Sequence, residues 1–392
     1  MNKSQGPPSY ENWLAARRGK SANVEAWEYP LFTDACISGE VSEGFGPYQF
    51  LNTGSKPDAN GNTHPALILR AESHLTYGPW KLDKPTVSDA GYYHGGELQD
   101  ELAALVSLAL GIRCKAGGVV RRFGGRDPRG RPCAWESGRK PIFVRAYSRG
   151  PLLPRAMGRH SINDLQTLPP FVDLSVSAVT ALIRAARLYQ DGLWVAESEP
   201  SLSWLMLVSA IETAAYYWRN AEDLPVERMK VSKLDLFKLL QNAGVPGLPE
   251  QVAQIIAPLM GATKKFIDFI INFLPVAPSP RPPIFAQVSW ERRSMKEALH
   301  KIYGYRSEAL HGGTPFPAPM CMAPYKYKQD DKWEAPAEKM DARMIQTKGG
   351  AWLEKDTPML LCTFEYLARG ALLKWWQSLM LSAMADADTA GK

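Results

Sequence analysis

PPFVDLSVSAVTALIRAA, residues 169–186, marks the point at which the hydrophobic period of the chain changes. Val172, Val176, Val179, Ile183 and Ala186 recur at alternating steps of four and three, which stacks them on one face and predicts a helix ending near Gly192. The same period persists downstream. Ser198 is placed to cap a second helix with Trp204, Val208, Ile211, Ala215 and Trp218 on its inner face. Shorter helical runs follow over 233–242 and 249–273, and the proline-rich 275–283 reads as a connector. A further helix over 287–310 stops at Gly312-Gly313. Residues 312–356, with Pro315, Pro317, Pro319, Pro324 and Pro336, read as a long irregular insertion, a kind of segment that is usually functional or mobile. A last helix starting at Pro358 carries Leu361, Phe364, Ala368, Ala371 and Trp375 in one stripe and closes the bundle, with fraying expected beyond Ala383.

Upstream of the change, short apolar runs such as Ala66-Leu67-Ile68-Leu69 and Ile142-Phe143-Val144 lie between Gly, Pro, Asn and Asp breakers and read as strands. One helix over 97–112 interrupts them, with Leu98, Leu102, Leu105 and Leu108 at helical spacing after Gly95-Gly96. Its acidic first turn, Glu97, Asp100 and Glu101, complements the helix dipole more simply than it makes a metal site. The expected fold class is α+β: a mixed α/β unit over 1–165, then a helical bundle over 166–386.

Composition narrows the function. The first ten residues are polar, and the longest apolar stretch, 252–277, contains Pro258, Lys264, Lys265 and Asp268, which a lipid-facing helix would not tolerate cheaply. A cytoplasmic protein without a membrane span is expected. Five scattered cysteines give neither a disulfide framework nor a zinc-ribbon spacing. His64, His74 and His94 are too dispersed for a helical ligand pair, no P-loop occurs, and no cofactor is implied. The net charge of +6 is uneven: residues 113–149 hold eleven Lys/Arg against Asp127 and Glu136, a local +9 that leaves −3 for the rest. Within that segment Arg121, Arg122, Arg126, Arg129 and Arg131 alternate with Gly and Pro, which suits either a phosphate-backbone contact or a solvated loop.

The chemistry concentrates in the helix that ends at Gly312. Met295, Leu299, Ile302 and Arg306 step by four, three and four, so an arginine occupies a core-facing position. A guanidinium there requires a carboxylate, a polar site or a phosphate. Glu212, alone in the apolar run 210–215, is the candidate partner, and a structural ion pair is one complete explanation. Five residues after Arg306 comes His311, a residue type that changes charge near neutral pH, as general acid-base chemistry requires. An ideal helix separates the two by about 140°, which termination at Gly312-Gly313 is expected to relax, or which a second subunit would complete. Arg155 and His160 have the same spacing, but Gly158, Pro151 and Pro154 place them in a loop.

The string Arg306-Ser307-Glu308-Ala309-Leu310-His311-Gly312-Gly313, after Ile302-Tyr303 in a late helix of a bundle, resembles the Arg-x4-6-His motif of the HEPN superfamily, most closely its Apea-type branch. The resemblance covers about 171–381, and 201–215 with Glu212 is a looser second match. It implies a homodimer in which two such motifs meet in one cleft, and a metal-independent endoribonuclease of toxin-antitoxin or antiphage systems. His311 would then activate the RNA 2′-hydroxyl, Arg306 would stabilise the scissile phosphate, and Glu212 and Ser307 would support them. Ser307 departs from the Asn, Asp or His often found after the arginine. The N-terminal unit would hold substrate or sense a phage-derived trigger, and an antitoxin would be a neutralising partner. The alternative is a non-catalytic module for nucleic-acid or nucleotide binding or for assembly.

Overall fold

The computed structural model describes residues 6–19, 25–56, 62–75, 95–124, 127–133, 140–143, 150–168, 170–218, 224–256, 261–329, 332–340, 346–347 and 350–390. An N-terminal sheet with helices precedes a largely helical region, an α+β architecture. After helix α1 (Pro8–Arg17), strands β1 (Glu25–Thr33), β3 (Tyr48–Asn52), β4 (His64–Ser73), β6 (Arg121–Phe123) and β7 (Arg131–Pro132) form an antiparallel sheet in the order β3-β4-β1-β6-β7. The short β5 (Lys115–Ala116) also pairs with β1, while β2 (Cys36–Ser38) and β8 (Arg159–Ser161) make a separate parallel pair. Helix α2 (Leu98–Leu110) begins with a reciprocal Glu97/Asp100 capping box and ends on Gly111 at φ 70°, a conformation that favours glycine. Asp100 thus serves as a cap. Glu101 is fully buried and accepts the Ser9 amide at 2.8 Å.

Every residue of α2 from Glu101 to Leu110 is buried, so this helix faces protein all round. One apolar core runs from Tyr10 and Trp13 through α2 into the helical region as far as Trp376, crossing the composition change near residue 165 without a break. Arg113 joins these parts. It is closed to solvent, its Nη1 is 2.7 Å from Asp34 Oδ2, its Nη2 is 2.6 Å from Glu197 Oε1, and its Nε donates to the Leu193 carbonyl. The basic segment is therefore less uniform than its charge count implied. Lys115 is also committed, pairing with Asp191 at 2.9 Å.

The helical region contains α3 (Val176–Val195), α4 (Pro200–Trp218), α5 (Pro225–Ser232), α6 (Leu234–Asn242), α7 (Leu248–Ile256), α8 (Ala262–Asn272), α9 (Arg292–Gly312) and α10 (Leu361–Ala390). Among the described residues no helix is long and apolar enough to cross a membrane. Helix α3 continues three residues past Gly192, because that glycine lets α4 approach: a Cβ there would lie 3.1 Å from Leu207. Ser198 does not cap α4; its hydroxyl donates back to the Val195 carbonyl. The run over 249–273 divides into α7 and α8, with Gly261 in a left-handed conformation before α8. Helix α9 starts at Arg292, five residues later than its periodicity suggested. Ile142 and Phe143 form no strand; Ile142 is exposed and Phe143 packs edge-to-face on Trp194, while Val144 lies outside the described residues. The insertion is partly built: β9 (Lys326–Gln329) pairs with β10 (Lys332–Pro336), and β11 (Gln346–Thr347) with β12 (Gly350–Ala351). Glu338 anchors it to the connector, accepting Arg281 Nε at 2.9 Å and the Val288 amide at 2.8 Å.

Removing the Arg113 guanidinium would strand two carboxylates away from water. Arg113→Ala is expected to cost about 3–5 kcal/mol in chemical denaturation. A loss below about 1 kcal/mol would mean that solvent reaches the triad.

Candidate functional site

Helices α4 and α9 pack so that Glu212 of the first meets Tyr303 and Arg306 of the second. The α9 periodicity buries Met295, Leu299, Ile302 and Tyr303, with Tyr303 tilted against Phe266 of α8 at a ring separation of 5.3 Å. One step further along this face, Arg306 Nη2 lies 2.7 Å from Glu212 Oε2. The other carboxylate oxygen, Oε1, accepts the Tyr303 hydroxyl at 2.7 Å. Burial first, and the Glu212 carboxylate second, push the Tyr303 hydroxyl far above its ordinary range, so it remains a protonated donor at any physiological pH. The Arg306 guanidinium also lies over the Tyr303 ring, 5.5 Å from its centroid.

Arg306 and Glu212 are each about one-fifth exposed, 21% of the side-chain surface. The Arg306 Nε is buried and has no acceptor among the described residues. Arg306 is therefore fixed on one side by Glu212 and retains donor capacity on another. Tyr303 was not singled out from sequence, although its position three residues before Arg306 puts it on the same face.

His311 occupies the last turn of α9 and is exposed, with no side-chain hydrogen bond among the described residues. Gly313 at φ 66° terminates the helix and donates to the Glu308 carbonyl, as the double glycine implied. Because α9 remains helical through Gly312, termination does not relax the angle between Arg306 and His311. Arg306 turns toward α4 and His311 toward solvent, so one chain does not bring them together. Ser307 is half-buried between them. His311 instead shares a face with His300 and Gly304, because eleven residues complete about three turns. Both are exposed, and a Cβ added to Gly304 would meet no atom within 4 Å.

The second Arg-x4-His pair has a different environment. His160 Nε2 contacts the Arg155 carbonyl at 3.1 Å, and burial lowers the imidazole's proton affinity. Arg155 lies over the Tyr366 ring at 4.6 Å.

Arg121, Arg122 and Arg131 of the basic segment sit on a short hairpin at one end of the sheet rather than in a loop. Arg121 and Arg122 are in β6, and Arg131 is in β7, with Arg122 directly across from Arg131. Arg121 donates to the Arg129 carbonyl at 2.8 Å and lies 3.6 Å from Glu28, while Arg131 is 82% exposed and pairs with Asp127. Arg129 is exposed at the turn, and Arg126 lies outside the described residues. Among the described residues, no group of three or more His, Cys, Asp or Glu side chains could hold a metal ion.

The Glu212 pairing should be measurable as coupling. Glu212→Ala is expected to destabilise the protein by about 1–2 kcal/mol, between the values for exposed and enclosed ion pairs, and a further Arg306→Met change should recover most of the loss. Strictly additive effects in the denaturation cycle would contradict the pairing.

Against models of protein families, curated proteins and solved structures, the chain matches none.

Proposed function

We propose that the helical region is a metal-independent endoribonuclease of HEPN type, assembled from two copies that meet along α9. The carrying observation is Arg306: a core-facing arginine, fixed by Glu212 through one nitrogen, with a second nitrogen unpartnered among the described residues. In this reading the scissile phosphate receives the guanidinium charge. His311, exposed at the end of the same helix, takes the proton from the 2′-hydroxyl. The 2′-oxygen forms a bond to phosphorus, the bond to the 5′-oxygen breaks, and that oxygen takes a proton from solvent while the His311 imidazolium gives its proton back to solvent. The products are a 2′,3′-cyclic phosphate and a 5′-hydroxyl.

The outward direction of His311 supports a two-chain site, since the second copy supplies what one helix separates. Gly304 fits a close helix crossing: glycine costs about 1 kcal/mol against alanine inside an exposed helix, and open space surrounds it. The arginine hairpin suits RNA. Arg122 and Arg131 stand directly opposite each other on β6 and β7 with Arg129 exposed at the turn, a spacing that suits contact with a phosphate backbone. By resemblance, the substrate places the protein in the cytoplasm as a toxin or defence enzyme, with a phage-derived trigger or an antitoxin controlling it.

Two observations favour a second reading, a non-catalytic module that binds RNA or nucleotides or serves assembly. Glu212 already occupies part of the Arg306 fork, and among the described residues the His311 side chain has no hydrogen-bond partner to orient it.

A cleavage assay on single-stranded RNA separates the two. Wild-type protein is expected to cut in the presence of EDTA, Arg306→Ala and His311→Ala to lose cleavage by about 100-fold or more, and His160→Ala to cut normally. Light scattering should report a dimer that Gly304→Arg dissociates, with activity lost in parallel. RNA binding without cleavage in wild type would select the binding module, and activity that required added magnesium would overturn the mechanism.

A further inference from the structure

The outer face of α9 carries a stripe whose spacing is symmetric. Glu297, His300, Gly304, Glu308 and His311 step by three, four, four and three, and all five are exposed. At about 100° of turn per residue they fall within about 40° of one line along the helix. That line runs opposite Met295, Leu299 and Ile302, the residues that bury the other face of α9. Alternating steps of three and four are the seam along which two helices pack side by side.

The chemistry of the stripe is self-complementary in one direction only. When two antiparallel copies cross at Gly304, a residue that precedes the glycine faces the residue that follows it by the same interval in the other copy. His300 then meets Glu308 and Glu297 meets His311, so every imidazole faces a carboxylate. A parallel pairing in register would set glutamate on glutamate and histidine on histidine, a juxtaposition of like groups that interfaces avoid. A neutral imidazole keeps one N–H and an imidazolium has two, so either form can donate to the carboxylate.

Within one chain these groups are only loosely committed. His300, Glu308 and His311 make no side-chain hydrogen bond among the described residues. Glu297 lies 3.5 Å from Arg293, a pair whose side chains are 68% and 86% open to solvent, and such a pair holds its carboxylate weakly. Gly304 stands at the centre of the symmetry, where two crossing backbones approach most closely. A Cβ there would meet no atom of its own chain within 4 Å, so packing inside the chain does not account for the glycine, whereas a close crossing does.

We propose that two copies of this chain associate by an antiparallel crossing of their α9 helices at Gly304, with His300 on Glu308 and His311 on Glu297 of the second copy. The inference rests on the two-copy reading given above and adds its direction and register; it does not depend on RNA cleavage. Across this interface His311 gains the acceptor that it lacks within one chain.

Cysteine cross-linking of the full chain under mild oxidation tests the register. His300→Cys combined with Glu308→Cys is expected to give a covalent dimer: the two positions lie about 12 Å apart along one helix, too far for a disulfide within a chain, and face each other between chains. His300→Cys alone is expected to stay at the wild-type background. In light scattering, Glu297→Lys with Glu308→Lys should weaken the dimer about tenfold or more, and adding His300→Glu and His311→Glu should restore it to within about threefold. A monomeric wild-type chain would overturn the two-copy reading and the register with it. A dimer in which the cysteine pair fails to cross-link, or in which His300→Cys cross-links alone, would overturn the register and leave the two-copy reading standing. A complete charge swap that remains as weak as the double lysine variant would do the same.

Discussion

Arg113 is the constraint on which the arrangement depends, because a guanidinium shut off from water permits only one relation between the segments that satisfy it. Asp34 follows β1, Glu197 follows α3, and the Leu193 carbonyl lies in the last turn of α3. Separating the sheet from the helical region would take Glu197 and the Leu193 carbonyl away from Arg113 and leave the guanidinium with Asp34 alone. Arg369 makes a second tie of the same kind, since its side chain in α10 donates to the Leu108 and Ala109 carbonyls at the end of α2. There it meets the negative end of the helix dipole. Gly111 makes room, because a Cβ at that position would lie 2.8 Å from Arg369 Nε.

This shared core sets the position of α3, α3 sets α4 through the close approach at Gly192, and α4 presents Glu212 to α9. The chain also supplies its own comparison between two inward arginines. Arg113 has Nε, Nη1 and Nη2 all engaged, as a structural guanidinium must when no water reaches it. Arg306 uses Nη2 on Glu212, leaves Nε without an acceptor among the described residues, and keeps about one-fifth of its surface open. That difference separates a guanidinium whose donors are all engaged from one that keeps an unsatisfied donor.

Much of the helical region was legible because its signal is local. The four-and-three spacing of α3, α4 and α10, and the double glycine after α9, are properties of adjacent turns. Pairing Glu212 with Arg306 was also legible, since each is a charge in an apolar face and each requires a reason to be there. What escaped depends on neighbours distant in sequence. Gly192 looked like a stop and is a contact point for α4. Arg113 counted as one more basic residue and is enclosed by residues 79 and 84 positions away. The insertion looked irregular because its prolines hide a hairpin whose anchor, Glu338, pairs with Arg281 on the connector. Tyr303 had no assigned role beside the motif, and only the packing of α9 on α4 shows its hydroxyl on Glu212.

In the proposed function, Arg306 and His311 together cut RNA by attack of the 2′-hydroxyl. Sequencing RNA ends from cells induced to express the wild-type chain or its His311→Ala variant addresses that chemistry directly. New ends bearing 5′-hydroxyl and 2′,3′-cyclic phosphate, present with wild type and missing with the variant, are the expected result. Ends bearing 5′-phosphate, or cyclic-phosphate ends equally abundant in both, would contradict it.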